Sequence, residues 1–334
     1  MRVGIAGTGR IGAGHAMVLA AHDDVTELVV FDEDRDRASA VAAKANGVVA
    51  ASLNELFDAN LDGLVISTAT SAHAELIEAA VKAGVPAFCE KPVAIDAERT
   101  KQVLELVSAN DVPVQVGFQR RFDKGYAAGR EALRNGELGD LRRLHLISGD
   151  PAPPPESFIV TSGGIARDLH IHDFDILRWV TGREVVEVYS IGANRGADYF
   201  AKAHDPDESV GTLLLDDGTL VTFQGSRYNG AGYDIRMEII GTEANHVVGL
   251  TDRTPIRSAE PGVEFPAGPA WTLFWDRFEP AYAEELRTFI DVAAGRCENP
   301  CTVEDALQAS YIAEAVELSR REHRPVRIQE VAAL

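Results

Sequence analysis

Gly7-Thr8-Gly9-Arg10-Ile11-Gly12 follows a short apolar run, residues 2–6, and opens a helix-like segment over residues 11–21. A G-x-G-x-x-G pattern alone is a weak signal, because glycine is common. Between a strand and a helix it reads as a dinucleotide-binding turn. There Gly7 permits the tight turn, Gly9 lets the backbone approach a pyrophosphate, and Gly12 allows close helix–strand packing. The helix N-terminus offers unbonded N–H groups and the positive end of its dipole to phosphates. Twenty residues beyond Gly12, Asp32 closes the second strand-like run. A carboxylate there accepts bonds from the adenosine ribose hydroxyls and repels a 2′-phosphate, which favours NAD over NADP. Arg35 and Arg37 stand close enough in sequence to reach toward a phosphate. The bland alternative is a glycine turn without a ligand.

Outward from this motif, strand-like runs at 2–6, 27–31, 63–67, 86–88 and 113–116 alternate with helix-like stretches at 11–21, 35–45, 72–83 and 97–109. Buried apolar strands alternating with helices predict a parallel sheet covered on both faces. The pattern changes after residue 120. A helix is expected at 124–135 and a strand at 141–148. Asp150-Pro151-Ala152-Pro153-Pro154-Pro155 cannot be regular, since proline removes donors and fixes φ. A helix over 167–180 should end near Gly182, followed by strands at 185–192, 209–216, 219–227 and 233–241. Asp216-Asp217-Gly218 is a hairpin signal, and consecutive strands with short turns suggest antiparallel pairing. Helices at 274–294 and 303–321 complete the chain. The expectation is a Rossmann α/β domain over 1–120 and an α+β domain over 121–334 with a largely antiparallel open sheet. The last helix is expected to pack back on the first domain.

Two clusters carry candidate chemistry. Glu90-Lys91-Pro92 follows a predicted strand, and ligands of open α/β sheets bind at the carboxyl ends of strands. A lysine there hydrogen-bonds a substrate hydroxyl and stabilises a developing alkoxide. A solvated lysine beside a turn is the plain alternative. The second cluster is Asp168-Leu169-His170-Ile171-His172-Asp173-Phe174-Asp175. On one continuous helix, Asp168, His172 and Asp175 share a side and His170 points elsewhere. His172 then accepts a hydroxyl proton, oriented by Asp168. Gly163-Gly164 just before allows close backbone approach. Histidine and aspartate also suit zinc or iron, but no H-E-x-x-H pattern or cysteine accompanies them, and no metal is expected. A core or helix-capping histidine is the other alternative.

Composition bounds the remaining classes. The 334 residues suffice for two domains, and the formal net charge of −20 opposes binding to nucleic acid. No apolar run reaches the ~18 residues needed to span a bilayer, and no secretory signal is expected at the start. Cys89, Cys297 and Cys301 are few and odd in number, which suggests reduced thiols with incidental roles in a cytoplasmic protein.

Taken together, Gly7–Gly12, Asp32, Glu90-Lys91-Pro92, Gly117-Phe118-Gln119-Arg120-Arg121-Phe122-Asp123 and the run from Asp168 to Asp175 resemble the glucose–fructose oxidoreductase/inositol dehydrogenase/rhizopine-catabolism (Gfo/Idh/MocA) family. The likeness extends over nearly the whole chain, including Gly232-Tyr233-Asp234 and residues 278–284. Within the family the chain is most similar to the myo-inositol 2-dehydrogenases. The markers are the proline run after Asp150, Ser162-Gly163-Gly164 and Ile171-His172-Asp173-Phe174-Asp175. The resemblance implies that Lys91, Asp168 and His172 are the catalytic set, and that Arg121, Asp150 and Tyr233 lie near a polyol. Cofactor contacts are expected from Gly7, Gly9, Arg10, Ile11, Gly12, Asp32, Thr68, Glu90 and Lys91. The implied reaction is NAD-dependent oxidation of a secondary hydroxyl of a cyclic polyol, such as myo-inositol, by a homotetramer. Another aldose or cyclitol dehydrogenase, an enzyme that parks a hydride on held NAD, and a non-catalytic NAD-binding regulator are the alternatives. Two positions depart from the inositol-type pattern: Gly149, where Arg often precedes Asp-Pro, and Gly225, where Asn commonly precedes Ser-Arg.

Overall fold

The computed structural model describes residues 1–266 and 268–333. They divide into two compact units, residues 1–119 with 280–308, and residues 120–279 with 309 onward.

The first unit begins β1 (Arg2–Ala6), α1 (Arg10–Ala20), β2 (Glu27–Phe31), α2 (Arg35–Ala45), β3 (Val48–Val49), α3 (Leu53–Phe57) and β4 (Gly63–Ile66). It continues with α4 (His73–Ala83), β5 (Ala87–Glu90), α5 (Ala97–Ser108) and β6 (Val114–Gly117). Among the described residues six strands form one parallel sheet, ordered β3-β2-β1-β4-β5-β6. The order reverses between β1 and β4, and ligands of such sheets bind outside the carboxyl ends at that reversal. The strands read as continuous apolar runs because both faces are covered. Val3, Ile5, Val30, Val65 and Phe88 pack in one core with Ala16 and Leu19 of α1 and with Leu286, Phe289 and Ile290. Each fully buried large side chain in that core contributes about 1.5–3 kcal/mol. Strand β3 and helix α3 are too short for periodicity to reveal, and β5 and β6 each start one residue later than the sequence suggests.

The second unit follows with α6 (Lys124–Arg134), β7 (Leu141–Gly149), α7 (Glu156–Ile159), α8 (Ile165–Asp168), α9 (Ile171–Thr181) and β8 (Val185–Ala193). Next come α10 (Asp198–Lys202), β9 (Glu208–Leu215), β10 (Leu220–Ser226), β11 (Asp234–Gly241) and β12 (Asn245–Val248). The chain then forms α11 (Phe274–Ala293), α12 (Val303–Glu322), β13 (Val326–Arg327) and α13 (Ile328–Ala332). The sheet runs β12-β11-β7-β10-β9-β8-β13 among the described residues. All its pairs are antiparallel except β7 with β10. The hairpin at Asp216-Asp217-Gly218 joins β9 to β10 as expected, but β7 lies between β10 and β11. One face packs on helices, with Phe174 of α9 edge-on to Phe223 of β10 at 5.6 Å. The other carries exposed Tyr189, Ile191 and Val210.

The helix expected over 167–180 is two helices. His170 N bonds back five residues to Ile165 O at 3.0 Å, which adds a residue to that turn and ends α8. Helix α9 then starts at Ile171 and stops at Gly182, whose φ of +65° is the left-handed cap glycine favours. Asp168 and His172 therefore lie on different helices and do not share the single helix face expected from their spacing.

Candidate active site

In the first unit the expected cofactor residues gather at the carboxyl ends of the strands. Gly7 has φ +91°, and a Cβ there would lie 2.6 Å from Ser67 and Thr68 backbone atoms. At Gly12 a Cβ would lie 2.1 Å from Gly7 O. These two contacts force glycine into the turn and into the helix–strand contact. At Gly9, by contrast, a Cβ would meet nothing within 4 Å. Gly9 is the N-cap of α1, and with no side chain of its own it leaves open space beside the start of that helix. This cradle fits the pyrophosphate of a dinucleotide.

Asp32 follows β2. Its Oδ2 accepts from Thr8 N at 2.7 Å and Thr8 Oγ1 at 2.9 Å, and its Oδ1 accepts from Asp34 N at 2.9 Å. Burial alone would raise its pKa. Those hydrogen bonds and the nearby Arg37 guanidinium outweigh burial and hold it below the usual carboxylate range. The group that would read the ribose is thus ionised and fixed. Arg37 is drawn to Asp34 at 3.1 Å and to Asp32 at 3.9 Å.

Glu90 ends β5, and its Oε1 lies 2.6 Å from His15 Nε2 on α1, both side chains being buried. Lys91 follows, half-buried. Buried His73 ties the next residue to the β4 loop, with Nδ1 2.8 Å from Pro92 O and Nε2 3.1 Å from Thr68 O. Burial lowers the His73 pKa against the pull of those two carbonyls and Glu90, and Lys91 lowers it further. His15 and His73 were not among the sequence candidates. Only contact with Glu90, Pro92 and Thr68 distinguishes them from any core histidine.

The second unit brings together Asp150, Asp168 and Tyr233, with Arg120 and Arg227, to which the sequence alone assigns no role. Arg227 Nη1 donates to Asp150 Oδ2 at 3.0 Å and Nη2 to Asp168 Oδ2 at 2.8 Å. Burial would lower the Arg227 pKa, but the two carboxylates reverse that and raise it. Arg120, fully buried, pairs with Asp173. Asp173 also accepts from Ser148 Oγ at 2.8 Å and contacts His170 Nδ1 at 2.8 Å, and His170 Nε2 lies 2.7 Å from Ser209 Oγ. His170 and Asp173 are therefore core residues. Burial would raise the Asp173 pKa, while Arg120 and the hydrogen bonds hold it low. Arg121 forms a bidentate pair with Asp175, Nε to Oδ2 at 2.9 Å and Nη2 to Oδ1 at 2.5 Å, both side chains buried. Tyr233 is buried, and burial pushes its phenol pKa well up despite Arg120 nearby. His172, on the first turn of α9, is half-buried, as are Asp150 and Asp168.

The two departures have physical partners. A Cβ at Gly225 would lie 2.5 Å from His170 Nε2, and one at Gly149 would lie 2.9 Å from Asn229 Cβ. The His170 imidazole and the Asn229 side chain occupy the space that larger residues at 225 and 149 would take.

The chain resembles a myo-inositol dehydrogenase, Hyg17, of Streptomyces leeuwenhoekii, with 39% identity over 94% of this chain and 96% of that one. Its structure is similar to a myo-inositol dehydrogenase of Corynebacterium glutamicum, at 35% identity, TM-score 0.89 and 98% coverage of both chains. It is also similar to the scyllo-inositol dehydrogenase of Lactobacillus casei solved with bound NAD(H) and scyllo-inositol, at 26% identity and TM-score 0.87, covering 98% of this chain and 99% of that one. Residues 1–118 match the family model of an oxidoreductase family with an NAD-binding Rossmann fold, and residues 126–246 match the GFO/IDH/MocA C-terminal domain. The glycine cradle, the ionised Asp32 and these full-length likenesses lead to one conclusion: the chain belongs to the GFO/IDH/MocA oxidoreductase family.

Proposed function

We propose that the protein oxidises one secondary hydroxyl of a cyclic polyol, such as myo-inositol, to the ketone, with NAD as the oxidant. The observation that carries this reading is full-length likeness to inositol dehydrogenases, one of them solved with NAD(H) and scyllo-inositol. The first unit holds the cofactor and the second reads the polyol. Gly7, Gly9, Arg10, Ile11 and Gly12 would cradle the pyrophosphate, Asp32 the adenosine ribose, and Thr68, Glu90 and Lys91 the remainder. NAD held there would supply the acceptor for the hydride of the carbinol carbon. His172 takes the hydroxyl proton, a step that typically contributes about 10²–10⁴ in rate. Asp168 favours the imidazolium that results. Lys91 donates to the oxygen as negative charge develops on it. Arg121, Asp150 and Tyr233 fix which hydroxyl faces that set.

The test is NADH formation from a panel of inositol isomers and aldoses, with NAD and NADP in parallel. NAD-linked turnover of a cyclitol is expected. His172→Ala should lose about 10²-fold or more of that turnover while its affinity for NAD is retained. Undiminished turnover in that variant would remove His172 from its role. The protein is also proposed to be a cytoplasmic homotetramer. Support comes from the few, odd cysteines and from the apolar outward face of the second sheet.

A further inference from the structure

Arg227 is 1% exposed, while the two carboxylates it holds, Asp150 and Asp168, are 21% and 18% exposed. An ordinary surface ion pair has both partners in water. Here the cation sits behind and the anions face outward. Burying a guanidinium carries a large desolvation cost, and such pairs seldom stabilise a fold more than apolar residues would. What the arrangement supplies is geometry. The planar fork directs one nitrogen to each carboxylate, which a lysine cannot do. The carboxylates come from separate elements: Asp150 follows β7, and Asp168 ends the short helix α8. Arg227 itself is fixed by its N–H bond to Asp207 O at 2.8 Å. A third carboxylate, Asp205, lies in its field and anchors the start of α8 by accepting from Ile165 N at 2.8 Å.

We propose that Arg227 is a positioning residue that sets Asp150 and Asp168 together, coupling the group that reads the polyol to the group behind the base. The proposal rests on the functional reading above. Arg227→Met should lower kcat by about 10²-fold, the scale expected when reacting groups shift by about an ångström. Its Kd for NAD should be unchanged, because the cofactor cradle belongs to the other unit. Arg227→Lys keeps the charge and one contact, and should lie between Met and the parent. In the Arg227→Met background, Asp168→Asn should cost much less than it does alone, because residues that act as one unit are not additive.

Turnover of each folded variant, with folded fraction from circular dichroism, decides the matter. A merely structural arginine lowers the folded fraction but leaves kcat per folded molecule intact and lets the two substitutions multiply. Either result overturns the proposal. If the parent protein turns over no cyclitol, the functional reading fails by itself. The proposal then stands or falls on the crystal structure of Arg227→Lys or Arg227→Met. Displaced Asp150 and Asp168 carboxylates support it, and unmoved ones overturn it.

Discussion

Gly225 and His170 compete for the same space, and that competition gives a departure from the family pattern its physical meaning. His170 is wholly buried, with Asp173 at one ring nitrogen and Ser209 at the other, so its ring cannot swing away from an added methyl group. Gly225→Ala should cost about 1–3 kcal/mol of stability, as overpacked cores do, measured by urea denaturation. Unchanged stability would mean that the ring yields. Asp32 is a residue of a different kind, since its carboxylate is held charged by Thr8, Asp34 and Arg37 without touching the core. Asp32→Ala removes the repulsion of a 2′-phosphate and leaves Arg37 nearby. The ratio of NADP-linked to NAD-linked kcat/KM should rise by about tenfold or more, ~1.4 kcal/mol of discrimination.

Among elements, the loops after β4 and β5 are joined by His73 through Thr68 O and Pro92 O. Burial disfavours the charged imidazole and depresses its folded-state pKa, so below the unfolded value of 6.5 the unfolded chain binds the proton first. Stability from this group is therefore present above pH 6.5 and declines as pH falls toward the folded value. Melting curves at mildly acid and neutral pH should show that His73→Gln, which does not titrate, loses part of the acid sensitivity. An identical pH dependence in the two proteins would exclude the histidine as its source. The turn between α8 and α9 is the other element that bears on the proposed chemistry. Its five-residue back-bond separates Asp168 from His172, and the two groups reach their places from different helices.

For the whole molecule, the outward face of the second sheet is the feature that calls for an explanation. Tyr189 and Ile191 of β8 lie across from Thr212 and Val210 of β9, so the apolar side chains form one stripe. They line a shallow groove with His145, Thr222 and Gln224. An apolar patch of this kind marks an association surface. In the proposed tetramer it is covered by another copy. Val210→Glu places a charge in that stripe without touching the core, and light scattering after size exclusion should report a smaller species with native circular dichroism. A variant of unchanged mass would show that copies associate elsewhere or not at all.

Local pattern determined a great deal about this protein. G-x-G-x-x-G between a strand and a helix, Asp32 at the next strand end, and alternating apolar runs are short-range features. Their physics is steric at Gly7 and Gly12 and periodic along the strands, so the parallel sheet and the cofactor end could be read directly. The position of Lys91 just after β5 was legible for the same reason, and its proposed role rests on ligands binding at the carboxyl ends of such strands. The tertiary structure alone decided what depends on meetings between distant segments. It placed β7 between β10 and β11, brought Arg227 to Asp150 and Asp168 across 77 and 59 residues, and filled the space over Gly225 with His170. It also broke the helix between Asp168 and His172, where one extra residue in a turn outweighed a sequence that reads as continuous. A buried arginine carries no local signature. Its partners are chosen by the desolvation it must offset, and only the folded chain supplies them.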